Sequence, residues 1–191
     1  MKNLIELKEN AQSWAKGKST TIRLPLVLWG FYVAGRIVTK QDSFTPFDWF
    51  NLGIHELGHV VFAVFGEFIG IAGGSFSQIL VPILSVFMFL KQEDYFGASF
   101  CFCWLAESLF NLSFYIDDAV RQSLHLVSPF GSDPIHDWNY LLMQLNLLNW
   151  NTTFAFLTRV LAFVSVVFFM LSSAWLLIQM KSSQNKYTKT D

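Results

Sequence analysis

Apolar residues occur in long runs along this chain, and short polar segments separate them. The runs cover about 22–38, 48–65, 77–90, 95–116 and 154–180. A membrane-spanning helix needs about 20 mostly apolar residues, so these runs predict transmembrane helices. The first run is short, and Arg23 and Arg36 near its ends would have to snorkel to the membrane surface. Between the last two runs, Trp138–Leu148 predicts a short amphipathic helix that is too brief to cross.

Glycines cluster directly after the second run. Gly66, Gly70, Gly73 and Gly74 would each cost about 1 kcal/mol in a helix interior. We therefore expect a glycine-rich break here, with backbone that lines a cavity rather than lipid. Loops are expected at Pro129, Gly131 and Pro134.

These elements predict an all-α integral membrane protein with about five, and between four and six, transmembrane helices. We expect a polar N-terminal lead-in at 1–21, one transmembrane domain at 22–180 and a polar tail at 181–191. Lysines near both ends predict that both termini are cytoplasmic. Five full crossings would separate the termini, so one segment must cross only in part or not at all.

Composition agrees with a lipid environment. Hydrophobic residues make up 53% of the chain and charged residues 14%, against about 25% charged in ordinary soluble domains. The net charge of −1 excludes broad electrostatic attraction to nucleic acid. Cys101 and Cys103 are two residues apart on a helix and point to different faces, so no disulfide is expected between them. The expected partner is the lipid bilayer, and the oligomeric state stays open.

The second run contains the motif that carries chemistry, His55-Glu56-Leu57-Gly58-His59. Two histidines four residues apart share one face of a helix and can bind one metal ion. Zinc bound in this way activates water, and Glu56 can act as the general base. The alternative is that the three side chains only hydrogen-bond between helices. Ionisable groups are costly in an apolar helix and are usually functional, which favours the metal site.

The segment from Gly53 to Ala63 resembles the catalytic helix of the site-2 proteases, a family of intramembrane zinc metalloproteases that cut transmembrane substrates. The resemblance implies zinc on His55 and His59, with Glu56 as the catalytic base and a later aspartate as the third ligand. The second signature of that family is degenerate here, because 111–119 keeps the asparagine and an aspartate but lacks the prolines and the glycine. The stretches GGS and HDWN resemble small bacterial membrane proteins, and we expect a location in the bacterial inner membrane.

A catalytic zinc site normally has three protein ligands. His136 and Asp118 are the leading candidates for the third, followed by Glu107, while the direction of Glu67 cannot be read among the glycines. Asp118 matches the family aspartate best, and His136 stands beside Asp137 in a loop that could fold back. The alternative for this pair is a helix start, with Asp137 as the N-cap and His136 exposed.

The sequence thus predicts a membrane-embedded zinc metalloprotease, with a possible transmembrane protein substrate. The alternative is a non-catalytic metal-binding membrane protein with a structural, sensing or transport role. A polar stripe of the third run, which includes Gln78 and Ser75, could line the same cavity or hydrogen-bond a neighbouring helix.

Overall fold

The structure is a computed structural model that describes residues 4–41, 43–124 and 135–187, the last five of these by their backbone alone. It is built from helices, which are α1 (Leu4–Ala15), α2 (Leu24–Thr39), α3 (Pro46–Phe62), α4 (Glu67–Lys91), α5 (Tyr95–Asp117), α6 (Asp137–Gln144) and α7 (Asn151–Tyr187). Short 3-10 turns precede α2 and α7 and follow α3. The expected loops at 129, 131 and 134 lie outside the described residues.

Four segments in the described part of the chain are long and apolar enough to cross a membrane. They cover Thr21–Thr39, Glu67–Lys91, Tyr95–Asp117 and Leu148–Ser182. The all-helical, membrane-spanning fold is therefore confirmed, while the fifth span is not. The helix that carries the histidines, α3, has 17 residues and is the shortest of the long helices except α2.

Helix α5 lies at the centre of the bundle. In its most apolar stretch 61% of the residues are buried, against 33% or less in the corresponding stretches of the other spans. The predicted run 95–116 matches it almost to the residue. Ser165 and Ser172 of α7 contact Phe102 and Ser99 of α5, so these two helices are antiparallel. Close helix packing through small polar residues is typical of membrane bundles.

A buried ion pair joins α2 to the middle of α5. Arg36 donates to Glu107 at 2.6 Å, and both side chains are at most 5% exposed. The same guanidinium also donates to the Ser43 carbonyl. Glu107 is thus committed to Arg36, which explains how this acid is kept in an apolar environment.

Both α2 and α3 run in the same direction as α5. Arg23 lies over Phe96 and Arg36 contacts Glu107, so α2 is parallel to α5. In α3, the ring centroid of Phe47 lies 6.3 Å from that of Phe100 and the ring centroid of His55 lies 6.0 Å from that of Tyr115, so α3 is also parallel to α5. Phe47, near the start of α3, lies 6.0 Å from Trp29 of α2. The connection between α2 and α3 must therefore double back, and the two helices together traverse the bundle once.

This path puts the helix ends on two opposite faces. On the face we call the α1 face, Ala11 and Ala15 of α1 pack with Leu176 and Met180 near the end of α7. On the other, the α6 face, Asn151 at the start of α7 donates to the carbonyl of Asp117 at the end of α5. The α3–α4 turn and α6 lie at this second face.

The expected glycine-rich break is wrong over most of its length. The chain reverses at 62–66, where Gly66 has a φ of 97°, and α4 then begins at Glu67 and continues through Gly70, Gly73, Gly74 and Pro82. The physical reason is packing. A Cβ on Gly73 would lie 2.8 Å from the Gly58 carbonyl oxygen, so the missing side chains let α3 and α4 approach closely.

The other boundaries differ by a few residues. The predicted helix 138–148 is observed as Asp137–Gln144, followed by a 3-10 turn at Leu148–Trp150. Cys101 and Cys103 are free and buried, as expected.

Candidate metal centre

Helix α3 brings His55 and His59 to the interface with α4 and α6. Its start is set by Pro46 in the first turn and by Asp48, whose carboxylate accepts from the Thr45 backbone N–H. His55 and His59 follow one turn apart on the buried face, and their ring centroids are 4.8 Å apart. The sequence prediction that both imidazoles share one face is confirmed.

Asp137, the first residue of α6, completes a three-residue group. Its Oδ2 atom lies 2.8 Å from Nε2 of His55 and 3.2 Å from Nε2 of His59. The ligand atoms of the three residues all lie within 4.8 Å of one another. Two imidazoles and one carboxylate form a donor set that zinc commonly takes in catalytic sites.

The outer nitrogen of each imidazole is held by an acceptor. Nδ1 of His59 faces the carbonyl oxygen of Gly70 at 3.0 Å, which can only accept, so this nitrogen carries the proton. Nδ1 of His55 faces Oε1 of Gln78 at 3.0 Å. The Gln78 amide is oriented by its Nε2, which donates to the carbonyl of Ser108, so its oxygen is the atom that accepts from His55.

It follows that lone pairs converge on one point. In neutral imidazoles with the proton on Nδ1, both Nε2 atoms are acceptors, and the nearby Asp137 oxygen is an acceptor too. Burial alone would raise the pKa of Asp137, but hydrogen bonds and charge interactions with His55 and His59 hold that pKa below its usual range. Three acceptors within contact distance require a cation between them, either a metal ion or added protons.

Gly74 on α4 keeps this point free of protein atoms. A Cβ on Gly74 would lie 2.6 Å from Nε2 of His55 and 2.6 Å from Nε2 of His59. Any side chain at residue 74 would therefore occupy the space in which the imidazole lone pairs meet. The residues present fit a bound divalent cation by donor set, tautomer and room.

Several hydrogen bonds fix α6 and hence Asp137. The Asp137 backbone N–H donates to the Tyr115 hydroxyl at 3.0 Å. Nε1 of Trp138 donates to Oγ of Ser75 at 3.0 Å, and the Asn139 side chain donates to the carbonyl of Ala119 at 2.8 Å. Two residues of the polar stripe predicted on the third run therefore contact this site. Gln78 contacts His55, and Ser75 contacts Trp138 of α6.

His136 and Asp118, the leading sequence candidates for the third ligand, lie together but outside the three-residue group. Nε2 of His136 is 3.6 Å from Oδ2 of Asp118. His136 is buried and is itself the N-cap of α6, since its Nδ1 accepts from the Asn139 backbone N–H at 3.3 Å. The alternative with Asp137 as the cap and His136 exposed is therefore wrong.

Asp118 caps the turn that follows α5. Its carboxylate accepts from the backbone N–H of Ser123 and of Leu124 and from the Ser123 hydroxyl. Burial alone would raise the pKa of Asp118, but these hydrogen bonds hold it below its usual range. The third candidate, Glu107, is paired with Arg36 in the bundle. His136, Asp118 and Glu107 thus each have a structural partner outside the three-residue group, although Nε2 of His136 and Oε1 of Glu107 are buried without a hydrogen bond.

Glu56 lies beside the group without belonging to it. It follows His55 on α3, is half-buried, and is close enough to His55, His59 and Asp137 to interact with each electrostatically. Glu56 is therefore near the group, and it is the residue that the sequence predicts as the general base.

Sequence reasoning did not assign functions to Gly74, to the Gly70 carbonyl or to Tyr115. A spacing signal exists for the two glycines, because Gly70 and Gly74 are four residues apart and share one face of a helix. Nothing in the pattern marks Tyr115, since its role depends on the position of α6. Comparison with protein-family models, with curated proteins and with solved structures gives no match.

Proposed function

We propose that this chain is a membrane-embedded zinc metalloprotease in which His55, His59 and Asp137 hold the metal ion. The observation that carries the proposal is the convergence of two imidazole lone pairs and a carboxylate in a space that Gly74 leaves free. A zinc ion there would polarise a carbonyl group and lower the pKa of a water molecule to about 7.

The chain supplies the remaining chemistry through Glu56. Its carboxylate takes a proton from the attacking water and later gives a proton to the leaving amine nitrogen. Gln78 and the Gly70 carbonyl keep both imidazoles in the tautomer that leaves Nε2 free. The resemblance of Gly53–Ala63 to the site-2 proteases assigns the same functions to His55, Glu56 and His59.

The substrate class follows from where the site lies. The His59 side chain is 24% exposed while those of His55 and Asp137 are 8% exposed, so access is from the His59 side, near the α3–α4 turn. We propose that the substrate is a transmembrane protein segment that unwinds next to this turn, because a helical carbonyl is hydrogen-bonded and a poor target. The proposed location is the bacterial plasma membrane.

Metal analysis of purified wild type beside Glu56→Gln and His55→Ala tests this proposal. We expect about one zinc per chain in wild type and in Glu56→Gln, and little in His55→Ala. Hydrolysis of fluorescein-labelled casein in detergent should be lost in both variants. Zinc in wild type without casein hydrolysis would exclude the hydrolase and favour the alternative, a non-catalytic metal-binding protein, whereas full hydrolysis in Glu56→Gln would remove Glu56 as the base. Wild type free of zinc after expression with added zinc would end both.

A further inference from the structure

A chain of hydrogen bonds leads away from the candidate metal centre and returns to α3 two turns before it. Nδ1 of His55 lies 3.0 Å from Oε1 of Gln78. Nε2 of Gln78 donates to Oδ1 of Asn111 at 3.2 Å, and Nδ2 of Asn111 donates to Oδ1 of Asp48 at 3.0 Å. The chain thus joins α3 to α4, α4 to α5 and α5 back to α3, and the proposed function uses only its first two members.

Asp48 determines the direction of the hydrogen bonds in this chain. Its two carboxylate oxygens face N–H donors, which are the Thr45 backbone on one side and the Asn111 amide on the other. A carboxylate has no proton to donate, and the first turn of α3 is a place where a negative charge is stabilised. Asn111 must therefore turn its NH2 group to Asp48, which leaves its oxygen for Gln78.

Gln78 passes this direction on to the imidazole. Because its NH2 group faces Asn111 and the Ser108 carbonyl, its oxygen faces Nδ1 of His55. The reversed amide would place its oxygen against two other acceptors and would offer an N–H to Nδ1. Nδ1 would then have to accept, and the imidazole proton would move to Nε2, the nitrogen that faces Asp137. Gln78 is only 3% exposed, so bulk water cannot relieve the mismatch.

We propose that Asn111 and Asp48 are positioning residues of the metal centre. They act through Gln78 and keep Nε2 of His55 free of a proton, so that its lone pair is available to a metal ion. Aligned hydrogen bonds also polarise one another, so the negative charge of Asp48 makes the imidazole a stronger ligand. This inference rests on the metal ligation in the proposed function and does not depend on hydrolysis.

A role limited to holding the helices together would have different consequences. Asn111 would then contribute to stability alone, and the effect of its loss would not depend on the residue at position 78. A positioning residue instead loses its effect on metal binding when Gln78 is removed, because nothing remains to carry that effect to His55. The hydrogen bond made by Nδ1 of His55 should also weaken only if Asn111 acts on it through Gln78.

The test compares Asn111→Leu, Gln78→Met, the double variant and Asn151→Leu, each as the full chain in detergent. Asn151 is the matched control, because its amide also joins two helices by donating to the Asp117 carbonyl at 2.8 Å, away from this chain of hydrogen bonds. Three quantities are measured. They are the Co²⁺ affinity from its absorption, the midpoint of thermal unfolding without metal, and the proton resonance of the His55 Nδ1–H in the Zn²⁺ protein.

We expect Asn111→Leu to lower the Co²⁺ affinity about tenfold and Gln78→Met to lower it at least as much, as is typical of residues that orient metal ligands. The double variant should match Gln78→Met within about threefold. In Asn111→Leu the Nδ1–H resonance should move upfield, because its hydrogen bond weakens. Asn151→Leu should lower the unfolding midpoint and keep the Co²⁺ affinity and the resonance of wild type.

Asn111→Leu with the Co²⁺ affinity and the resonance of wild type would overturn this inference, and so would affinity losses that multiply in the double variant. Both results leave the proposed function standing. Wild type that binds no Co²⁺ overturns both, whereas Co²⁺ binding without casein hydrolysis overturns only the proposed hydrolase. If Asn111→Leu does not fold, Asn111→Ser carries the same expectations, because a serine side chain is too short to reach both Gln78 and Asp48.

Discussion

At the residue scale, Gly74 offers the most direct test of whether the space between the imidazoles is used. A Cβ there would lie 2.6 Å from Nε2 of both histidines. Overpacking of this kind typically costs about 1–3 kcal/mol, so Gly74→Ala should weaken zinc affinity by roughly 10- to 100-fold. Competition with a chromophoric chelator measures it.

The matched control is Gly53→Ala on α3, where an added Cβ has no atom within 4 Å. It should leave zinc affinity unchanged and should stabilise α3 by up to about 1 kcal/mol. If both alanine variants bound zinc as wild type does, the ion would not lie between these imidazoles.

The third ligand is also a question at this scale, and Asp137 and Asp118 give opposite expectations. Asp137→Asn should lose most of the bound zinc, because its Oδ2 atom lies within 3.2 Å of both Nε2 atoms. Asp118→Asn should keep zinc near one ion per chain, because the Asp118 carboxylate is used on the turn at 123–124. Elemental analysis of the purified variants decides it. Zinc retained in Asp137→Asn and lost in Asp118→Asn would restore the ligand that the sequence favoured.

Single residues also show where sequence reasoning reached its limit. His55, Glu56 and His59 are read directly, because helical periodicity alone puts the two histidines on one face. The sequence could not show whether Asp137 or its neighbour His136 is the third ligand, because that depends on which of them caps α6 and which is its first residue. That depends in turn on tertiary contacts made by Tyr115, Ser75 and Ala119, which no local pattern contains.

At the element scale, α6 holds Asp137, the proposed third ligand, in place. It is a short helix of 8 residues, too short to be stable by itself. Its position therefore depends on hydrogen bonds to its neighbours, among them the one from Nε1 of Trp138 to Ser75 on α4.

Trp138→Phe removes that hydrogen bond and keeps an aromatic ring. Since a net hydrogen bond is worth about 1 kcal/mol, we expect zinc affinity to fall about fivefold as α6 docks less tightly. The control is Trp150→Phe, the same change at a position that is 56% exposed in the turn before α7. Isothermal titration with zinc compares the two, and equal affinities would mean that α6 needs no anchoring at Ser75.

Helix α4 is the element that sequence reasoning described least well. Four glycines and a proline predict a broken segment from local propensity alone. In the bundle, Gly70, Gly73 and Gly74 are the surface on which α3 and the turn after it pack, and the closeness of Gly58 to Gly73 outweighs the propensity cost. The long apolar run of α5 needed no such context, and its predicted bounds agree with the structure to within a residue.

At the scale of the whole molecule, the path of the chain reconciles lysines at both ends with the number of crossings. Helices α2 and α3 run in the same direction and together traverse the bundle once. Helices α4, α5 and α7 each traverse it once more, so the total number of traverses is even. The described start and end of the chain therefore both lie at the α1 face, where α1 packs with the end of α7. The candidate metal centre lies toward the α6 face, since Asp137 begins α6 and His59 precedes the α3–α4 turn by only a few residues.

The distribution of positive charge predicts which face is cytoplasmic. Basic residues near the α1 face outnumber those toward the α6 face, which are Arg121 and Arg159. The basic residues near the α1 face are Lys8, Lys16, Lys18, Arg23, Lys91 and Lys181. By the positive-inside rule, we predict that the α1 face is cytoplasmic and that the candidate metal centre opens toward the opposite side of the membrane. In intact cells, a membrane-impermeant maleimide should then label a cysteine placed at Ile135, which is 56% exposed at the α6 face, and not one placed at Leu4, which is 84% exposed on α1. Both positions should react after the membrane is permeabilised, and Cys101 and Cys103 are first replaced by alanine because they would add background. The reverse labelling pattern would show the opposite orientation in the membrane. The candidate centre would then open toward the cytoplasm, and substrates would have to be cut from the inner side.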